Sequence, residues 1–169
     1  NLGDSKSVTI ETIGESGIQV SSEKTKTTIK TLNAEDFPDL PKVSDPISFK
    51  LLSTDFVNGL KSVWYSSATT SIKPELSSIS ITHDGEFLVF AATDSFRLAE
   101  KKIRVKKIPN FKQILIPQKN ALEIIKIFDK GEEEISITIQ EHQMALHSQG
   151  VYLTSRIIDG IFPDYRQII

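Results

Sequence analysis

Thr154-Ser155-Arg156-Ile157-Ile158-Asp159-Gly160-Ile161-Phe162-Pro163-Asp164-Tyr165 is the stretch whose reading decides the fold, because Ile29-Lys30-Thr31-Leu32-Asn33-Ala34-Glu35-Asp36-Phe37-Pro38-Asp39-Leu40 has the same plan. Each opens as a strand and ends on Phe-Pro-Asp plus a large side chain. The two phenylalanines stand 162 − 37 = 125 residues apart. Upstream, Val8 and Ile10 match Ile135 and Ile137 at an offset of 137 − 10 = 127, so the intervening turns differ by two residues in total. A period this long indicates duplicated domains, since solenoid repeats run about 20–50 residues. The chain is expected to hold the last third of one domain followed by one nearly complete copy.

The elements around the repeat read as follows. Val8-Thr9-Ile10-Glu11-Thr12-Ile13 alternates, with Val8, Ile10 and Thr12 on one face of a half-buried strand. Gly14 to Gly17 is a turn, Ile18-Gln19-Val20 resumes the alternation, and Lys26 to Leu32 is a third strand. The prolines at 38, 41 and 46 mark a linker over 38–46. Ile47 to Leu51 starts a new unit as a strand. Ser53 or Thr54 is expected to cap a helix with Asp55 in its first turn. Phe56, Leu60, Val63 and Trp64 form one face of that helix. A hairpin follows, Leu76 to Thr82 and Phe87 to Thr93 around Asp84-Gly85, then a strand from Arg97 to Val105. Ile114-Leu115-Ile116 is a short buried strand. Pro117 then opens a second helix with Ala121, Ile124, Ile125 and Phe128 inward and Gly131 as its stop. Strands at 135–139, 144–146 and 151–156 complete an α+β unit.

Composition narrows the function classes. With 169 residues, 20 Lys+Arg against 22 Asp+Glu and a net charge of −2, the chain is no uniformly basic nucleic-acid coat, although one basic face is compatible with these counts. Zero Cys removes disulfides, thiolate catalysis and Cys-based metal sites. No stretch approaches the roughly 20 apolar residues of a membrane span. The chain begins at Asn1 and ends within Arg166-Gln167-Ile168-Ile169, and it is expected to be a piece of something longer.

Four motifs in order resemble the bacterial DNA polymerase III β sliding-clamp family. They are Phe37-Pro38-Asp39-Leu40-Pro41, Ala92-Thr93-Asp94-Ser95-Phe96-Arg97-Leu98-Ala99, Ile116-Pro117-Gln118-Lys119, and Ser155 through Arg166 of the opening stretch. The resemblance covers essentially the whole chain. It implies a DNA-clamp fold with two helices on one side packed against antiparallel sheets that form the outer rim of a ring. It also implies that residues 1–44 end a first domain, 45–166 form the second, and 167–169 begin the linker to a third. Family subunits close head-to-tail into a dimeric ring around duplex DNA and act as processivity factors in the bacterial cytoplasm, associated with the nucleoid. This stretch alone is expected to be unable to form the ring.

The resemblance also implies two surfaces. Lys61, Lys73, Lys119 and Lys126 are expected to face DNA, binding phosphates without reading bases. Lys130 stands nearby, and Glu123 and Asp129 dilute the second helix. A peptide-binding cleft for polymerases, the clamp loader and repair proteins is implied at Leu76, Thr93, Ser95, Phe96, Arg97, Leu98, Pro163, Gln167 and Ile168. Leu76, Leu98, Pro163 and Ile168 would supply apolar walls, while Thr93 and Arg97 would hold polar groups of the peptide. Gln167 stands where relatives often carry a basic residue. The Arg104-Val105-Lys106-Lys107 run with Lys101-Lys102 reads as a solvated strand edge.

No enzymatic activity, cofactor, metal or membrane partner is expected. His83, His142 and His147 lack metal-ligand spacing, no Gly-x-Ser-x-Gly elbow occurs, and no glycine-rich loop could cradle a phosphate. Asp94 reads as a turn former that accepts hydrogen bonds from backbone amides. Two alternatives stand beside the clamp. One is a small α+β hydrolase or esterase using one of the Ser/His/Asp combinations, which would require a histidine such as His83 within hydrogen-bonding reach of a serine and an aspartate. The other is a freestanding binding module that forms no ring.

Overall fold

The structure is a computed structural model that describes residues 7–37, 46–70, 72–129, 131–140 and 142–167. Contacts divide the chain into two units, Asn1–Lys42 and Val43–Ile169. Most of the proline-rich stretch expected as a linker, and with it Pro38 to Pro41, lies outside the described residues.

The first unit is an antiparallel meander of β1 (Thr9–Thr12), β2 (Gly17–Ser21) and β3 (Lys26–Lys30), with a 3-10 turn at Ala34–Asp36. Gly14 adopts φ +61° in the first turn, a conformation cheap only for glycine. Alternation correctly places Ile10, Val20, Ile18 and Ile29 on one face, since Ile10 lies opposite Val20 and Ile18 opposite Ile29. The expected half-burial fails for β1, which is exposed throughout with Ile10 at 68%, and β3 is likewise exposed throughout. Three short strands have no second layer within this unit, and alternation reports a face rather than what covers it.

The second unit holds two four-stranded antiparallel sheets and two helices. One sheet has the order β11-β10-β9-β4, built from β4 (Ile47–Leu52), β9 (Glu134–Ile139), β10 (Gln143–Ser148) and β11 (Val151–Arg156). The other has the order β7-β6-β5-β8, built from β5 (Ser78–His83), β6 (Phe87–Thr93), β7 (Leu98–Arg104) and β8 (Ile114–Pro117). Helices α1 (Ser53–Lys61) and α2 (Gln118–Phe128) pack on each other and on both sheets. Phe56, Leu60, Val63, Ala121, Ile124, Ile125 and Phe128 meet Ile79, Ile81, Leu88, Phe90, Ile135, Ile137, Met144 and Leu146 in one core, matching the predicted helix faces.

Strand β6 is apolar without alternation, and both its faces are covered. Leu88, Phe90 and Ala92 point to the helices, while Ala91 joins Leu115, Phe162 and Tyr165 in a second cluster on the opposite side of the sheet. A continuous apolar run is the pattern of a strand buried on both faces. The Phe-Pro-Asp-Tyr segment therefore covers the outer face of this sheet. Its last residues form the 3-10 turn Tyr165–Gln167.

Two expected local devices differ. Leu52 occupies the N-cap of α1 and no side chain caps it. Ser53 instead donates its amide to Glu133 O at 2.9 Å and its hydroxyl to Gly131 O at 2.5 Å. Its side chain ties α1 to the loop after α2, an environment that sequence cannot show. Gly131 is not the stop of α2, which closes at Asp129 in right-handed helical conformation. The Asp84-Gly85 turn is as predicted, with Gly85 at φ +100° and Asp84 Oδ1 accepting from Phe87 N at 2.9 Å.

The repeat holds at the level of strand register. Ile10 opposite Val20 corresponds to Ile137 opposite Leu146, and Thr12 opposite Ile18 to Ile139 opposite Met144. The third strands follow, with Val20 opposite Thr27 matching Leu146 opposite Leu153. First strands are offset by 137 − 10 = 127, second strands by 146 − 20 = 126 and third strands by 153 − 27 = 126. Sequence matching put the third strands at 125. Register moves them to 126, so one residue is lost in the first turn and one between the third strand and Phe-Pro-Asp.

Candidate functional site: a lysine-bearing helical face and the outer end of a sheet

The helical face follows from helix periodicity. Burying Phe56, Val57 and Leu60 turns Asn58 and Lys61 outward on α1, and burying Ala121, Ile124, Ile125 and Phe128 turns Lys119, Glu123, Lys126 and Ile127 outward on α2. Lys61 and Lys119 thus lie on the side away from the core, as the clamp reading requires. The lysines differ in their company. Lys61 Nζ donates to Asp129 Oδ1, joining the C-terminal end of α1 to that of α2. Lys126 Nζ donates to Glu123 Oε1 at 2.7 Å. Lys73 and Lys119 are exposed and form no ion pair among the described residues.

Leu76 and the cleft positions from Thr93 to Leu98 lie at one end of the second sheet. Pairing places Thr93 opposite Leu98, and continuing the Ser80–Ala91 register by two residues places Ser78 beside Thr93. Leu76 precedes Ser78 and is buried. Thr93, Leu98 and Glu100 share the outer face with Ala91, because residues two apart on a strand point the same way. Leu98 packs on the Phe162–Tyr165 cluster. Leu76 and residues 93–98 are therefore brought to one end, whereas Pro163 lines a groove with Ser80, Thr82, His83 and Asp84, and Ile168 lies outside the described residues.

The turn between β6 and β7 is strongly built. Asp94 Oδ1 accepts from Phe96 N and Arg97 N, both at 3.0 Å, as expected for a turn former. Its Oδ2 accepts from Arg97 Nε at 3.0 Å. These backbone amides, Phe96 first, with the Arg97 guanidinium beside them, hold the Asp94 carboxyl below the usual carboxylate range. Ser95 takes φ +77°, and Phe96 projects almost wholly into solvent, 98% exposed. Thr93 Oγ1 donates to Arg97 O at 2.8 Å and accepts from Ser95 N at 3.1 Å. Thr93 and Arg97, expected to hold a peptide's polar groups, thus already serve the turn. Phe96 is the group this turn presents freely.

Sequence reading missed the pair behind this end. Tyr165 Oη donates to Glu100 Oε2 at 2.6 Å, and burial together with this carboxylate pushes the phenol up to about 12. The signal available was the spacing of Leu98 and Glu100 on one strand face.

Among the described residues, three grooves on the second unit bear on the site, and of the eight described cleft positions Pro163 alone lines any of these three. The largest, about 760 Å³, runs between β4 and residues 105–109. Lys106 and Lys107 stand exposed there, as expected for a solvated edge, and Arg104 before them is exposed and paired to Glu86 at 3.4 Å. The groove at Pro163, about 330 Å³, includes His83 and Ser80. His83 Nε2 accepts from Ile108 N at 3.4 Å, and Ser80 Oγ accepts from Gln113 Nε2 at 3.0 Å. These bonds leave the serine–histidine–aspartate relay of the hydrolase alternative unassembled at His83. No helix among the described residues is long and apolar enough to cross a membrane.

Comparison with known proteins identifies the family. The family described as DNA polymerase III beta subunit, central domain, matches residues 50–164. Among curated relatives, the beta sliding clamp of Vibrio cholerae is 28% identical over 168 residues, covering 99% of this chain and 46% of the relative. That of Escherichia coli is 26% identical over 150 residues, covering 89% and 41%. Among solved structures, the Bacillus subtilis DNA polymerase sliding clamp has a TM-score of 0.87 at 26% identity, covering 96% of this chain and 43% of that one. The Bartonella birtlesii sliding clamp, bound to griselimycin, has a TM-score of 0.86 at 26% identity, covering 96% and 45%. The chain spans a little under half the length of these relatives. With two helices against antiparallel sheets, a repeated strand register and a family match over most of its length, this chain belongs to the DNA polymerase III beta subunit family of sliding clamps, and residues 50–164 are its central domain.

Proposed function

We propose that this chain is part of a DNA replication processivity factor that encircles duplex DNA and tethers its partners, without catalysis of its own. The carrying observation is the pair of adjacent helices with Lys61, Lys119 and Lys126 turned outward, Lys73 being exposed in the segment between α1 and β5. A ring needs only weak, sequence-independent phosphate contacts, because topology prevents escape, and a net charge of −2 is compatible with that. On this reading residues 1–44 end the first clamp domain, 45–166 are the second and 167–169 lead toward a third. The matching strand registers support the domain repeat. The stretch covers under half of its relatives and supplies parts of a ring rather than a closed one. The full-length homodimer in the bacterial cytoplasm, at the nucleoid, is the functional form.

The second proposed activity is docking of short linear peptides from polymerases, the clamp loader and repair proteins. Its surface comprises Leu76, Thr93, Ser95, Phe96, Arg97, Leu98, Pro163, Gln167 and Ile168, completed by the next domain. Support comes from the placement of Leu76 and residues 93–98 at one end of the sheet and from the packing of Leu98 on Phe162 and Tyr165.

The test uses the full-length protein loaded on plasmid DNA. Retention on closed circles and release on linearisation is the expected result. Equal loss from circles and linear DNA would favour the freestanding module. For the cleft, Leu98→Ala in the full-length protein is expected to weaken a clamp-binding peptide by about tenfold or more, as truncating an anchor does. Unchanged affinity removes Leu98 from the site.

A further inference from the structure

We infer that Asp129 and Glu123 act as intramolecular competitors for phosphate, holding Lys61 and Lys126 in ion pairs so that Lys73 and Lys119 make the first DNA contacts. The inference rests on the proposed DNA-facing role of the helices and names the residues that tune it. Lys61 is held by Asp129 from the other helix, and Lys126 by Glu123 one turn back on its own helix. Both pairs are exposed, with side-chain accessibilities of 42% and 44% in the first and 68% and 61% in the second. Exposed pairs are weak, so a phosphate can displace the carboxylate rather than be locked out. Each such contact is then an exchange of one anion for another, with little net gain. Lys73 and Lys119 have no ion-pair partner among the described residues and release counterions in full when they meet phosphate. A surface of this kind attracts duplex DNA yet holds it loosely, which suits sliding.

A carboxylate near DNA also lowers affinity simply through its charge, so the test must separate local pairing from the general field. The Glu86–Arg104 pair on the sheet provides the control, because Glu86→Gln makes the same charge change away from the helices. The chain is titrated with a short fluorescent duplex by anisotropy over roughly 50–200 mM salt. Asp129→Asn is expected to tighten binding about threefold at the low end and to steepen the salt slope by up to about 0.9. Glu86→Gln is expected to change affinity much less. In the background of Lys61→Ala the gain from Asp129→Asn is expected to disappear, since no lysine remains to be freed.

A gain that persists without Lys61, or that Glu86→Gln reproduces, overturns the inference and leaves the DNA-facing reading intact, provided Lys119→Ala still weakens binding. No salt-dependent binding by any variant overturns the inference and the DNA-facing role of these lysines, while retention of the full-length protein on closed circles tests the ring separately.

Discussion

Gly59 lies against the ring of Phe90 so closely that a Cβ on the glycine would stand 2.5 Å from Phe90 Cε2. Phe90 is fully buried and meets Phe56 edge-on at 5.7 Å between ring centroids, so it has little room to yield. The glycine is therefore what lets α1 settle onto β6. Two effects oppose each other in Gly59→Ala. Helix propensity favours alanine by about 1 kcal/mol. Overpacking in a dense core costs about 1–3 kcal/mol. Three ring carbons lie within 2.7 Å of the added atom, so overlap wins and a net loss of up to about 2 kcal/mol is expected in urea unfolding. Adding Phe90→Leu is expected to restore part of it. A variant more stable than the parent would mean the ring can step aside.

Tyr165 and Glu100 predict an alkaline limit to stability. The Tyr165 phenol sits near 12 in the folded chain against an ordinary 10.0. Between those values the unfolded chain has lost the proton while the folded chain keeps it, so folding binds protons and weakens as pH rises. The contribution is complete below about pH 10 and declines toward about pH 12. Absorbance titration should show one of the three tyrosines ionising late, and Tyr165→Phe should abolish that late step. If the titration is unchanged in Tyr165→Phe, the hydrogen bond to Glu100 does not protect this phenol.

Asp94 predicts the opposite limit. Its folded carboxyl lies below the ordinary 3.8, held there first by the Phe96 amide. Stability from the turn is thus present above the unfolded value and lost as pH falls through the folded one. Asp94→Asn keeps an acceptor for the two amides and is expected to preserve their slow hydrogen exchange, whereas Asp94→Ala is expected to expose them. Equal protection of Phe96 and Arg97 in parent and Ala variants would show that the strands alone define the turn.

What could be read in advance divides along physical lines. Helix faces, the Asp84-Gly85 hairpin and the Asp94 turn depend on neighbours within about four residues, and those were legible. The duplication was legible too, but its third strand was placed one residue off, because Ile29 matches Thr154 in chemistry and Ser155 in hydrogen-bond register. Ser53 looked like a cap because cap preference is local. Its real partner, Gly131, lies 78 residues away. The same distance problem hid Tyr165 behind Glu100 and Asp129 beside Lys61. The cleft positions came from resemblance, and geometry adds that Thr93 and Arg97 are already engaged by the turn.

The two units are expected to differ sharply in autonomy. Residues from Val43 onward enclose a core of fully buried side chains, including Phe56, Phe90, Leu60, Ile124 and Ile137. The first unit offers β1 and β3 with every residue exposed. A three-stranded meander lacking a covered apolar face is marginal in water. Its register counterpart shows what is missing, since Ile137 and Leu146 are buried beneath the helices while Ile10, the counterpart of Ile137, is open. A chain beginning at Val43 should therefore keep a single cooperative thermal transition and the amide spectrum of residues 46–167. A peptide of residues 1–42 should give a spectrum without β-sheet dispersion. A folded 1–42 peptide would show that turn and strand preferences alone sustain the meander. Loss of cooperative folding in the Val43 variant would show that the second unit depends on the first.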